Sequence, residues 1–205
     1  KKLRVFIIDD SALIRAVLAQ IIDSQADMEV VGSAGDPLQA REKMRDLQID
    51  VVTLDVEMPR MDGIEFLEKL MRLHPLPVLM VSTLTERGAE VTMRALELGA
   101  IDFVTKPKLG VSQGMQEASQ EILAKIRAVA QARVQRRAST SASAPAARPT
   151  LQWNKALGTE KLIAIGSSTG GTEAVKEILV QLPADSPAVV ITQHMPPGFT
   201  ASWAQ

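Results

Sequence analysis

Over the first 130 residues, short unbroken apolar runs alternate with segments whose apolar residues recur at helical spacing. The runs are Leu3–Ile8, Met28–Ala34, Asp50–Leu54, Pro77–Ser82 and Ile101–Thr105. They are rich in β-branched residues and continuous rather than alternating, as parallel strands buried on both faces are. Between them Leu13, Val17, Leu18, Ile21 and Ile22 form one helical stripe; Phe66, Leu67, Leu70, Met71 and Leu73 form another. Val91, Ala95, Leu96 and Leu98 make a third, and Met115, Ala118, Ile122, Ile126 and Val129 close the unit with a last helix. Five β-α repeats over residues 1–130 predict an α/β fold with a five-stranded, doubly wound parallel sheet.

The pattern then breaks. Arg136–Thr150 reads RRASTSASAPAARPT, without an apolar period, and residues 131–158 are expected to be a flexible linker. Its arginines lack the aromatic or helical setting of a nucleic-acid patch. From residue 159 a second α/β pattern begins: a strand over Lys161–Ile165, a helix over Thr172–Gln181 and a strand over Ala188–Thr192. This is the first β-α-β part of a Rossmann-like domain. Two strands cannot bury a domain-sized core, so the domain at 159–205 is expected to continue beyond Gln205. The chain opens without Met, so its N-terminus is expected to be trimmed or incomplete.

Composition narrows the classes. Lys+Arg (23) nearly balance Asp+Glu (24), so nothing favours nucleic acid or an anionic membrane as partner. There is no Cys, which excludes disulfides and thiolate chemistry and fits a reducing cytosol. Apolar runs are too short to span a bilayer. The opening KKLRVFII is too soon interrupted by Asp9 and Asp10 to be a secretory signal.

Candidate chemistry gathers where parallel strands end. The carboxyl edge of such a sheet is where functional groups collect. The strands lead there into Asp9-Asp10, Asp55, Ser82-Thr83 and Lys106-Pro107. Oxygen-only ligands of this kind suit Mg²⁺, and a carboxylate beside it is a plausible nucleophile toward a phosphoryl donor. Taken singly, each would pass for a solvated turn residue; their convergence argues otherwise. The run LDVEMPRMDG resembles the response-regulator receiver family. That resemblance implies Asp55 as the phosphorylated residue and Asp10 as a direct Mg²⁺ ligand assisted by Asp9. It further implies the Glu57 backbone carbonyl as a ligand and Ser82 and Lys106 as phosphoryl contacts. Phe103 falls at the family's aromatic switch position, with plain core packing as the alternative. The Lys106–Pro107 bond is cis in the family.

A second constellation lies in Gly166-Ser167-Ser168-Thr169-Gly170-Gly171, between a strand and a helix. A glycine-rich turn there can cradle phosphate, but the spacing of a dinucleotide fingerprint and a following Lys are both missing. The alternatives are an ordinary Gly/Ser turn and G-x-S-x-G, a nucleophile elbow. His194, just past the next strand, would lie on the same edge as Ser168 and is a candidate general base. Asp185 precedes that strand and so belongs at the opposite edge; an orienting acid is expected beyond Gln205. The stretches KLIAIGSSTGGTEAV and ITQHMPPGFT resemble the catalytic domain of chemotaxis methylesterases, which implies Ser168 as nucleophile and His194 as its base. The family usually has Ala where this chain has Ser167, so the choice of serine rests on Ser168 holding the elbow's centre.

The resemblance implies demethylation of glutamate methyl esters and deamidation of glutamines on methyl-accepting chemoreceptors, with no cofactor for the hydrolase step. It implies a chemotaxis histidine kinase as phosphodonor, a cytoplasmic protein without membrane insertion, and phosphorylation that relieves a block of the hydrolase by the receiver. The competing expectation is a receiver with a non-enzymatic output, binding or transcriptional. A transcriptional output would need a helix-turn-helix or winged helix with a basic recognition helix, where this chain has strand, elbow and strand.

Overall fold

The structure, a computed structural model, describes residues 1–58, 63–83, 85–107, 112–132, 134, 161–196 and 198–204. Of the expected linker at 131–158, only residues 131, 132 and 134 are among these. The chain divides into two compact units, one of Lys1–Arg137 with Pro196–Gln205 and one of Ala138–Met195.

In the first unit the strands are β1 (Leu3–Ile8), β2 (Met28–Ala34), β3 (Val51–Asp55), β4 (Val78–Ser82) and β5 (Asp102–Thr105). The helices are α1 (Ala12–Asp23), α2 (Pro37–Met44), α3 (Gly63–Leu73), α4 (Glu86–Leu98) and α5 (Ser112–Val129). The sheet is parallel throughout, in the order β2-β1-β3-β4-β5. The chain leaves β1 first for β2 and then for β3 on its other side, so the switch point lies between β1 and β3. Every residue of β3 and β4 is buried, which is why those runs do not alternate. Val5, Ile7, Leu79, Val81 and Val104 pack with Ile14, Leu18, Ile22, Ile122, Ile126 and Val129 of α1 and α5. The intervening positions Phe6, Ile8, Val52, Leu54, Met80 and Phe103 are buried on the other face.

The helices start and stop where local chemistry requires. Ser11, Asp36 and Thr85 each accept a backbone N–H of the first turn they cap. Gly99 ends α4 at φ 113, a left-handed conformation that glycine adopts without Cβ strain. The expected apolar stripes hold for most of their members, but Leu13 and Leu73 are more than half exposed. The sequence reading named no stripe for α2; its segment has only two buried residues, Pro37 and Ala40, too few for a helical period.

The short helix α7 (Thr200–Trp203) also belongs to the first unit. Beside it Phe199, 1% exposed, stacks on Phe103 with ring centroids 4.6 Å apart. Lys125 lies on the same ring, its Nζ 5.3 Å from the centroid, and is paired with buried Asp102 at 2.9 Å. Phe103 is thus packed within the core as described, one of the two roles the sequence left open.

The second unit holds β6 (Leu162–Ser167), α6 (Gly171–Leu179) and β7 (Ala188–Gln193), with β6 and β7 parallel. Both strands alternate exposed with half-buried positions. Leu162 and Val190 remain 61% and 51% exposed.

Candidate functional site

At the carboxyl edge of the first sheet, the switch point brings Asp9, Asp10 and Asp55 together. One carboxylate oxygen of each lies within 4.8 Å of the others. Asp9 and Asp55 are buried and Asp10 is exposed. Asp55 is held at both oxygens: Oδ1 accepts the Glu57 N–H at 3.0 Å and Oδ2 accepts Lys106 Nζ at 2.8 Å. Asp9 Oδ1 accepts the Ser11 N–H at 2.8 Å, while its buried Oδ2 has no hydrogen bond and only the Lys106 charge at 3.2 Å. Arg15 donates to the carbonyls of Asp9 and Asp10, bracing the turn. A Cβ on Gly63 would stand 2.6 Å from the Asp55 carbonyl, so α3 can begin this close to the pocket only with glycine there.

Burial dominates the electrostatics. It pushes the Asp55 carboxyl up to about 6, with the Asp9 charge adding to the rise and Lys106 opposing it. Burial raises Asp9 as well, against the pull of Lys106. For Lys106, burial works against the charge, but the hydrogen bond and charges of Asp55 and Asp9 outweigh it, and its pKa is raised. A crowded anionic pocket with an orphaned buried oxygen on Asp9 is chemically suited to a hard cation.

One expectation for this pocket, a cis Lys106–Pro107 bond, is corrected. Ser82 is fully buried, but its Oγ donates to the carbonyls of Thr83 and Gly88, at 3.2 and 3.3 Å, and not toward Asp55. A hydroxyl without a charged acceptor turns to the carbonyls within its reach. The Lys106–Pro107 bond is trans, since there is no cis peptide among the described residues; for an X–Pro bond the two isomers differ by only about 0.5–1 kcal/mol. One feature escaped the sequence reading. The Glu57 side chain accepts from Thr83 Oγ1 at 2.8 Å and from Thr85 Oγ1 at 3.5 Å, tying the β3 end to the cap of α4. Only its place two residues after Asp55 hinted at such a contact.

In the second unit, β6 delivers Ser168 and β7 delivers His194 to one edge, because the parallel register sets Ser167 opposite Gln193. Ser168 Oγ lies 3.4 Å from His194 Nδ1, and both residues are exposed. With Ser168 donating, Nδ1 is the acceptor and the neutral ring carries its proton on Nε2. Ser167 Oγ instead donates to Gln193 Oε1, turned away from the imidazole. Geometry therefore separates the two serines. Gly170, at φ 72, makes the turn into α6, and the Gly171 N–H closes it onto the Ser168 carbonyl at 2.8 Å. Asp185 precedes β7, at the edge opposite His194.

The first unit has the five-stranded parallel sheet and strand-end carboxylates of a receiver, and the second sets a Ser–His pair at the edge of a second parallel sheet. Residues 5–114 match the response regulator receiver domain family, and residues 163–205 match the CheB methylesterase family. The chain is 61% identical, over 212 residues, to protein-glutamate methylesterase/protein-glutamine glutaminase 1 of Albidiferax ferrireducens. It is 63% identical, over 204 residues, to the second such protein of Cupriavidus pinatubonensis. These matches cover 100% of the chain and 57% of each relative's length. The response regulator domain of Thermotoga maritima CheB superimposes with a TM-score of 0.58 at 48% identity, covering 65% of this chain and 99% of that one. The chain belongs to the CheB methylesterase family. No helix among the described residues is long and apolar enough to cross a membrane.

Proposed function

We propose that this chain forms the receiver and the first part of the hydrolase of a phosphorylation-regulated, cytoplasmic chemotaxis methylesterase. The substrates in this reading are glutamate methyl esters and selected glutamines on chemoreceptors. The observation that carries it is the approach of Ser168 Oγ to His194 Nδ1, in a chain that is similar over its whole length to proteins named for that activity.

In the hydrolase step, Ser168 Oγ attacks the ester carbonyl while His194 takes the hydroxyl proton. Collapse of the adduct breaks the ester C–O bond, and methanol departs with that proton. Water then adds to the acyl-serine, His194 again accepting a proton; the bond between the acyl carbon and Ser168 Oγ breaks, Oγ takes that proton back from His194, and the free carboxyl group of glutamate leaves. With a glutamine substrate the departing molecule is ammonia. An acid must orient the imidazole. Asp185, by its position before β7, is not suited to that role.

In the receiver step, a histidine kinase or a small acyl phosphate donates to Asp55, which Lys106 holds by one oxygen and the Glu57 N–H by the other. Asp9, Asp10 and Asp55, with the Glu57 carbonyl, would hold Mg²⁺, which would neutralise charge on the transferring group. Ser82 would have to turn from its two carbonyls to meet the phosphoryl oxygens. Phosphorylation then raises the hydrolase rate.

The test is methanol release from methylated receptor by the intact protein. Ser168→Ala and His194→Ala are expected to reduce it to background, and Ser167→Ala to leave at least about a fifth of it. Full activity in Ser168→Ala would remove the assignment.

A further inference from the structure

Gln193, the last residue of β7, has no role in the scheme above, yet its side chain links the backbones of both reactive residues. Its Nε2 donates to the Ser168 carbonyl at 2.9 Å and to the His194 carbonyl at 3.0 Å. Its Oε1 accepts from Ser167 Oγ. Both amide hydrogens and one oxygen lone pair are therefore used within the two strand ends. A backbone bond runs alongside, from the His194 N–H to the Ser167 carbonyl at 2.9 Å. The amide also sits in a space that leaves no room for another group. A Cβ built on Gly171 would collide with Gln193 Oε1 and would stand 2.6 and 2.9 Å from Ser167 Cβ and Oγ. The second glycine of the turn thus admits the Ser167–Gln193 pair against the first turn of α6.

Ser168 and His194 are exposed, so side-chain packing does not fix their separation. Both lie one residue past the ladder, which the single backbone bond from the His194 N–H to the Ser167 carbonyl continues. At 3.4 Å, the Ser168–His194 approach is longer than the usual O–H hydrogen bond of about 2.7–2.8 Å. Small backbone displacements there decide whether proton transfer is possible.

We infer that Gln193 is a positioning residue for proton transfer between Ser168 and His194, its carboxamide clamping the two carbonyls together while Ser167 fixes which way the amide points. This rests on the Ser168–His194 reading. Only a carboxamide offers two donors and an acceptor in one plane at this length. Glutamate has the shape but no donor and sets a charge against two carbonyls; methionine has the length but no hydrogen bond. A serine before the nucleophile adds the orienting bond that an alanine there cannot make.

The experiment uses the intact protein carrying Gln193→Met, Gln193→Glu, Ser167→Ala, Ser167→Ala with Gln193→Met, or Ser168→Ala. Four quantities are read: kcat and KM for methanol release, the rate at which a small fluorophosphonate labels Ser168, and Tm. The fluorophosphonate reports nucleophile activation without the receptor. Gln193→Met and Gln193→Glu are each expected to lower kcat and the labelling rate by a common factor of about 10–100, with KM changed less than about twofold. Tm is expected to stay within a few degrees. Ser167→Ala should lower both rates about 2–5-fold, and this effect should vanish in the Gln193→Met background, because Ser167 acts through the amide. Rates within about twofold of the parent in Gln193→Met, a loss confined to KM, or full additivity of the two substitutions would each overturn the inference. If Gln193→Met does not fold, Ser167→Ala decides alone: unchanged labelling overturns the clamp and slowed labelling supports it. Ser168→Ala separates the two levels. Normal methanol release there removes the nucleophile assignment itself, whereas its loss beside a normal Gln193→Met removes only the role of Gln193.

Discussion

At the scale of single residues, the receiver pocket is a balance of one ammonium against three carboxylates. Lys106 Nζ touches Asp55 Oδ2 at 2.8 Å and stands 3.2 Å from Asp9 Oδ2, and it is the cation that contacts them. In the proposed receiver step it would have two roles: orienting Asp55 before transfer and neutralising the phosphoryl oxygens during it. Exposure to acetyl phosphate with Mg²⁺, followed by mass spectrometry, is expected to add one phosphoryl group to the parent protein and none to Asp55→Asn. Lys106→Ala should label about tenfold or more slowly. Equal labelling of the parent and Asp55→Asn would sink the Asp55 assignment, and omission of divalent cation should suppress labelling throughout.

At the scale of elements, β5 and α5 are joined by the pair Lys125–Asp102, with side chains only 6% and 8% exposed. Lys125 donates to Asp102 Oδ1 at 2.9 Å, Asp102 Oδ1 also accepts the Phe103 N–H at 2.7 Å, and Asp102 Oδ2 has no partner. Such a pair is weak evidence of net stability, because its attraction is set against the desolvation of two charges. Breaking it is another matter, since the remaining, nearly buried carboxylate keeps only one other donor. Lys125→Ala is expected to destabilise the first unit by about 3–5 kcal/mol in urea unfolding. The double replacement Lys125→Met with Asp102→Asn should recover a substantial part of that loss. A single-substitution loss below about 1 kcal/mol would show that water reaches Asp102.

At the scale of the whole molecule, two carboxyl groups drive stability in opposite directions with pH. The Arg4 guanidinium, through hydrogen bonds to both oxygens, holds Asp50 down at about 2. Its contribution is complete above the ordinary value of 3.8 and is lost as pH falls through about 2. Asp55, raised by burial to about 6, behaves the other way. Between 3.8 and about 6 the folded state keeps a proton that the unfolded chain has released, so its contribution is full below 3.8 and is lost as pH rises through about 6. Thermal scans in a chelator are therefore expected to show Tm falling from about pH 4.5 to about pH 7. Asp55→Asn should flatten that fall. Millimolar Mg²⁺ should raise Tm at about pH 7 in the parent more than in Asp55→Asn. A parent Tm that rises over this interval would contradict the burial of Asp55 as the dominant cause.

The sequence by itself determined the elements and their order. Unbroken β-branched runs mark strands covered on both faces, so β1 and β2 fall on the expected residues and the others within two residues of them. Because parallel strands all end at one edge, it also placed Asp9, Asp10, Asp55 and Lys106 in one pocket, and Ser168 and His194 at another. Helix α2 was less legible, since its two buried residues leave no period to read. What the sequence leaves open is how side chains turn once the strands are in register. Ser167 and Ser168 are adjacent and chemically identical, and only the pairing of β6 with β7 sends one hydroxyl to Gln193 and the other to His194. The same holds for Ser82, turned to Thr83 and Gly88, and for Phe103, stacked on a ring nearly a hundred residues away. Backbone periodicity is a local property of the chain. The direction of a hydroxyl or a ring depends on acceptors and surfaces contributed by distant segments, and those exist only after the sheet has formed.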